Sequence, residues 1–280
     1  MKIAIIGLGL IGGSLALEFR KKHQVFGIDN NTEHQKQALA LGLVEKIIPL
    51  KEIPKMDIVI IAVPVDVTPK ITKQVLDLIK DETLVFDVGS TKEAVCDKIK
   101  HHPKRKNFIA THPIAGTEFS GPQAAIKNLF SKKVNIICEQ EKSDTKQLEK
   151  LTNLFQPLNM RFVFIESANQ HDKHIAYVSH LSHISSFMLG KTVLEIEKEE
   201  KNIFNMAGSG FESTVRLAKS SPKTWTPIFI QNKAHIIKSL DEYISNLQSF
   251  RNHLQNDANS EIFKQIKETN HIKEVLNTNN

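Results

Sequence analysis

The sequence predicts an α/β fold: a doubly wound N-terminal sheet over residues 1–165, followed by an all-helical C-terminal domain over residues 166–280. Two observations carry this. Up to Ile165, short β-branched runs alternate with amphipathic stretches, the pattern of parallel strands covered on both faces by crossover helices. From Glu166 onward the strand pattern stops and long helical patterns take its place. Strands are expected at Lys2–Ile6, Gln24–Ile28, Ile58–Val63, Thr83–Val88, Asn107–Ala110, Val134–Cys138 and Arg161–Ile165. Helices are expected between them at Leu10–Lys22, Asn31–Leu41, Asp66–Lys80 and Asp144–Phe155. In the helical region Ile237, Leu240, Ile244, Leu247 and Leu254 line one seam. That seam is either a core stripe within one chain or an interface between copies. A helix this long in so small a domain favours a homodimer.

Composition narrows the function. At 280 residues, with 40% hydrophobic and 24% charged residues, the chain has the make-up of a soluble globular protein. No uninterrupted apolar stretch reaches the roughly 18 residues of a membrane span, so no membrane association is expected. The opening MKIAIIGLGLIGG is broken by glycines and lacks a basic leader and a cleavage site, so it does not read as a signal peptide. Cys96 and Cys138 are far apart and without metal-ligand spacing, as expected of free thiols in the cytoplasm. The net charge of +6 comes from scattered lysines, many beside acids, as in KEEKN at 198–202. No aromatic array accompanies them, so small anions rather than nucleic acid are the expected partners.

Gly7-Leu8-Gly9-Leu10-Ile11-Gly12 follows the first strand directly and opens the first helix. Gly7 suits a tight turn, Gly9 lets backbone approach a pyrophosphate, and Gly12 lets the helix pack close to the strand. The helix N-terminus offers N–H groups to the phosphates. Asp29 stands 22 residues after Gly7, at the end of the second strand, where a carboxylate accepts hydrogen bonds from the adenosine ribose. Its charge repels a 2′-phosphate and no arginine follows nearby, so a Rossmann-type domain binding NAD rather than NADP is expected. A structural glycine turn with an incidental aspartate, or a flavin site, are the alternatives.

Open α/β sheets hold ligands at the carboxyl ends of their strands. Ala62-Val63-Pro64 ends one strand, placing Val63 and Pro64 beside the cofactor, and Asp87-Val88-Gly89-Ser90 ends another. His112 comes just past the expected end of Asn107–Ala110, held between Thr111 and Pro113. Its ordinary pKa suits proton transfer near neutrality; a loop histidine satisfied by backbone is the alternative. His180 and His183, three apart on a predicted helix, project to the same side, with Val178, Leu181, Ile184 and Met188 as an apolar stripe beside them.

The segments IAIIGLGLIGGSLA, DVGSTKE, THPIAGTEFSG, HDKHIAYVSHLSHISS and GSGFESTVRLA occur in this order. Through them the chain resembles the prephenate/arogenate dehydrogenase family over essentially its whole length. The resemblance implies NAD-dependent oxidative decarboxylation of prephenate to 4-hydroxyphenylpyruvate in tyrosine biosynthesis, with arogenate as the alternative substrate. It implies that His112 takes the proton of the substrate's ring hydroxyl and that Ser90 hydrogen-bonds both. Arg216 matches the arginine that clamps a substrate carboxylate, and its planar fork suits that task. His183 matches a histidine of the substrate pocket, with His180 one turn before it, and Glu118 an acidic residue at the pocket entrance. Two segments depart from the family pattern: Glu212-Ser213 replaces a basic-acidic pair before the arginine, and Ser182 replaces a proline.

Three other readings compete. A two-domain β-hydroxyacid dehydrogenase relies on a lysine of its helical domain, whereas here His112 is the better-placed base. His171-Asp172, His174, His180 and His183 have spacings that suggest a metal hydrolase. No further carboxylate completes that set and the glycine turn stays unexplained, so no metal is expected. A non-catalytic NAD sensor has no need of His112, Ser90 and Arg216 together.

Overall fold

The structure, a computed structural model, describes residues 1–200 and 202–277. A single sheet contains β1 (Lys2–Ile6), β2 (Gln24–Ile28), β3 (Lys46–Ile47), β4 (Ile58–Ile61), β5 (Leu84–Asp87), β6 (Phe108–Pro113), β7 (Val134–Cys138) and β8 (Arg161–Ile165). Their order across the sheet is β3-β2-β1-β4-β5-β6-β7-β8, and all neighbours are parallel except β6 and β7. The doubly wound sheet is thus present, with one antiparallel pair. The two-residue β3 is too short to leave a periodic signal in the sequence.

Strand side chains alternate between two apolar layers, as a period of two requires. Ile3, Ile5, Ile58, Ile60 and Phe86 pack on one face with Leu15 and Phe19 of α1 (Leu10–Phe19) and Leu151 and Phe155 of α5 (Thr145–Phe155). Ala4, Ile6, Val59, Ile61 and Val85 pack on the other with Val75 and Leu76 of α3 (Thr68–Leu78) and Val95 and Ile99 of α4 (Glu93–Ile99). The helix α2 (Thr32–Ala40) follows β2, and the Asn31 side chain caps it by accepting from the N–H groups of Glu33 and His34. The chain reverses its winding between β1 and β4, whose carboxyl ends lie side by side. A crevice at such a switch point is where this fold binds ligands.

One strand differs from expectation in a way that matters. β6 runs past Ala110 to Pro113, so His112 lies within a strand instead of beyond it. Pairing with β5 stops at Ala110, but antiparallel β7 continues it, matching His112 to Ile136 and Pro113 to Asn135. The β7 pairing carries His112, while among the described residues no strand pairs with it on its β5 side.

Beyond Ile165 the described residues form only helices and turns. α6 (Ala168–Ile175) passes through one π turn, Ala176–His180, into α7 (Leu181–Glu199). Then follow α8 (Ser209–Val215), α9 (Pro222–Gln231), α10 (Lys233–Gln255), α11 (Asn259–Thr269) and α12 (Ile272–Asn277). The chain divides into two compact units, Met1–Lys233 and Ala234–Asn280. Compactness therefore changes later than secondary-structure class, because α6 is tied to α4 by hydrogen bonds from the Lys92 and Glu93 N–H groups to Asp172. In α10, Ile237, Ile244, Leu247 and Leu254 are exposed and Leu240 is half-buried. Among the described residues no helix is long and apolar enough to cross a membrane.

Candidate active site

The glycine turn meets the conditions that a dinucleotide sets. Gly7 has φ +91° and a Cβ there would lie 2.3 Å from the Ala62 carbonyl oxygen; a Cβ on Gly12 would lie 2.0 Å from the Gly7 oxygen. Neither position tolerates a side chain. A Cβ on Gly9, by contrast, would meet no atom within 4 Å, which leaves the backbone open to a ligand at the N-terminus of α1. Leu8 and Ile11 pack into the core behind the turn, and Leu10 begins the helix. The Asp29 carboxylate accepts from the Leu8 N–H at 2.8 Å and the Asn31 N–H at 2.8 Å. This ties the end of β2 to the turn. Val63 and Pro64 follow β4, where the Thr68 hydroxyl donates to both carbonyls.

His112 is buried at the far side of the β5 end. Its Nδ1 lies 2.9 Å from His171 Nε2, and His171 Nδ1 lies 2.8 Å from Asp172 Oδ1. Burial, reinforced by the positive character of His171 and Lys92, holds the His112 imidazole well below its ordinary pKa. The ring is thus a neutral base at physiological pH. Lys92, fully buried, pairs with Asp87 and donates to the Thr111 carbonyl at 2.8 Å, anchoring β6 one residue before His112. Ser90 lies beyond the end of β5, and among the described residues no hydrogen bond joins it to His112, whose Nδ1 is engaged by His171.

A second group surrounds Trp225 of α9. The His183 ring stacks on it at 3.4 Å between centroids, and His180 meets it edge-on at 5.9 Å. Asn232 Nδ2 donates to the Asp172 carbonyl at 2.8 Å and to His180 Nδ1 at 3.1 Å. Neutral His180 therefore carries its proton on Nε2, a buried atom without a partner among the described residues. Burial pushes the His180 pKa down to about 4. Arg216, exposed in the turn after α8, lowers the pKa of His183 by its charge, though burial of that ring is the larger cause. Of the expected apolar stripe, Val178, within the π turn, and Met188 are exposed, while Leu181 and Ile184 are half-buried. Glu118, half-buried, lies in the loop after β6.

Sequence pattern does not single out Lys92, Trp225, Gln231 or Asn232. Gln231 joins the loops after β4 and β5, since its amide donates to the Val65 carbonyl at 3.0 Å and its oxygen accepts from Thr91. Trp225 is the single tryptophan of the chain, the one usable signal among the four. Among the described residues no three His, Cys, Asp or Glu side chains converge as a metal site; His171 and His180 are engaged by Asp172 and Asn232.

Residues 15–164 match the family model of the prephenate dehydrogenase nucleotide-binding domain, and residues 167–268 match that of the prephenate dehydrogenase dimerization domain. The chain belongs to the prephenate dehydrogenase family. Prephenate dehydrogenase of Bacillus subtilis is 32% identical, over 98% of this chain and 76% of that protein. The Aquifex aeolicus prephenate dehydrogenase, solved with hydroxyphenyl propionate and NAD+, superposes with a TM-score of 0.89 at 28% identity, over 99% of this chain and 98% of that one. Synechocystis arogenate dehydrogenase gives 0.80 at 26% identity, over 99% of this chain and 100% of that one. Membership in the prephenate dehydrogenase family makes the chain an oxidoreductase.

Proposed function

We propose that this chain oxidatively decarboxylates prephenate with NAD, producing 4-hydroxyphenylpyruvate, carbon dioxide and NADH in the cytoplasm. The observation that carries this reading is His112, a buried neutral imidazole held by β6 and β7 across the sheet's carboxyl edge from the glycine turn. Residues 1–165 hold the dinucleotide: Gly7 to Gly12 face its pyrophosphate, Asp29 its ribose, and Val63 and Pro64 border its nicotinamide end. NAD supplies the hydride acceptor. His112 Nε2 takes the proton of the substrate's 4-hydroxyl as hydride leaves C4, and Ser90 steadies that hydroxyl. The bond to the ring carboxylate then breaks, its electron pair completes the aromatic ring, and His112 returns the proton to the phenol oxygen. Residues 166–280 hold the rest of the substrate and pair two copies. Arg216 and His183 bind a carboxylate, His180 supports that pocket from behind through Trp225, and Glu118 guards the entrance.

The hydroxyphenyl propionate bound by the Aquifex relative has the ring hydroxyl and side-chain carboxylate of the proposed product, which supports this assignment. The exposed seam of α10 supports a homodimer. Steady-state assay of prephenate and arogenate, each with NAD and NADP, tests the reading. Turnover of prephenate with NAD is expected; preference for arogenate would move the substrate to the amino analogue, and no turnover of either would overturn the proposal. Light scattering that shows a monomer at micromolar concentration would remove the dimer.

A further inference from the structure

We infer that His171 and Asp172 are positioning residues that decide which nitrogen of His112 acts as the base. This rests on the reading of His112 as the proton acceptor. The two oxygens of Asp172 are both committed as acceptors. Oδ1 takes the Lys92 N–H at 2.7 Å and Oδ2 the Glu93 N–H at 2.9 Å. Backbone donors cannot reverse, so Asp172 stands as an acceptor wherever else it touches. His171 Nδ1, at 2.8 Å from Oδ1, must therefore be the donor.

A neutral His171 with its proton on Nδ1 has a bare Nε2. That atom faces His112 Nδ1 at 2.9 Å, so His112 must donate from Nδ1. A neutral His112 is then bare at Nε2, the nitrogen free to take a proton. Burial favours the neutral form of both rings. The chain of three groups is held at both ends. Asn232 grips the Asp172 carbonyl at 2.8 Å, and Lys92 grips the Thr111 carbonyl next to His112. When the substrate's hydroxyl proton arrives on Nε2, no proton leaves the relay. His112 becomes an imidazolium whose Nδ1–H already points at His171, and the Asp172 carboxylate faces that charge from behind. The proton returns to the product oxygen along the same path.

Asp172→Asn removes the charge behind the relay and sets its NH2 against one of the two backbone N–H groups that Asp172 accepts, so the acceptor that fixes both tautomers is weakened. A comparable exchange in the Ser-His-Asp triad lowers kcat by on the order of 10⁴ through the wrong tautomer. The expectation here is a kcat loss of about 10²–10⁴-fold, with KM and NAD binding by calorimetry near wild type. His171→Gln, which keeps a polar group at α6 but breaks the link, should behave alike and serves if Asp172→Asn does not fold. The direct readout is ¹⁵N NMR of imidazole-labelled wild-type protein, which needs no turnover. His112 should show a protonated Nδ1 and a bare Nε2. The opposite tautomer, or normal kcat in a folded variant of either kind, overturns the relay. Failure of the wild-type protein to oxidise prephenate would instead strike the substrate assignment, and the NMR result would still judge the tautomer.

Discussion

Lys92 and Asp87 form an ion pair with both side chains fully withdrawn from water, and the same ammonium holds the Thr111 carbonyl. Burial lifts the Asp87 carboxyl above its ordinary range, with Lys92 opposing. The pair is thus costly in itself and worse if halved. Lys92→Met leaves a buried carboxylate uncompensated, which typically costs about 3–5 kcal/mol. Urea denaturation should show a loss of that order, and Asp87→Asn added to Lys92→Met should recover part of it. An unchanged midpoint in the single variant would show that Asp87 is neutral without Lys92.

Cofactor choice should follow Asp29. Its carboxylate is oriented by the Leu8 and Asn31 N–H groups, so it cannot swing away from a 2′-phosphate. NAD is expected to exceed NADP by at least about tenfold in kcat/KM, a difference of roughly 1.4 kcal/mol. Asp29→Asn keeps an acceptor and removes the charge, so the ratio should narrow. Equal use of the two cofactors by the wild-type protein refutes the role of Asp29.

Acid should weaken the fold before the carboxylates titrate. His112, His171 and His180 all have folded-state pKa values below the ordinary 6.5, with His180 near 4. Between pH 6.5 and 4 the unfolded chain binds protons that the folded chain refuses, so stability is full above pH 6.5 and falls as pH drops through this window. Each such group costs about 1.4 kcal/mol per pH unit crossed. Denaturation midpoints at pH 7 and pH 5 measure this; equal values would show that these rings titrate normally in the fold. The same lowered pKa puts the acid limb of kcat/KM below pH 6.5.

The parts of this fold that were legible in sequence are local. Gly7, Gly9, Gly12 and Asp29 stand at fixed spacing because one turn and one strand end impose it. His112 was legible as a residue near a strand end, but not as a residue within β6, since that extension depends on pairing with β7 some twenty residues later. The links from His112 to His171 and from Asn232 to His180 span 59 and 52 residues, and nothing near either residue announces them. His171-Asp172 reads as half a metal site until the structure shows both oxygens of Asp172 taken by backbone N–H groups. The π turn has no sequence signature, and Val178, which the expected stripe includes, is exposed within it.

His112 and Arg216 should fail differently when replaced. His112 acts only as the hydroxyl proton moves, so His112→Asn should lower kcat by roughly 10²–10⁴-fold with little change in KM. Arg216 is exposed beside His183 and holds a carboxylate in ground state and transition state alike, so Arg216→Ala should raise KM and leave kcat nearly intact. A charge-assisted bond is worth roughly 1.5–3 kcal/mol, which corresponds to an increase of about tenfold to a hundredfold. Arg216→Lys should recover only part, because an ammonium keeps the charge without the parallel pair of hydrogen bonds. Steady-state kinetics on the three variants decide the matter. Near-normal kcat in His112→Asn makes that histidine structural, and an unchanged KM in Arg216→Ala moves the carboxylate to another cation, of which Lys219, in the same turn, is the nearest in sequence.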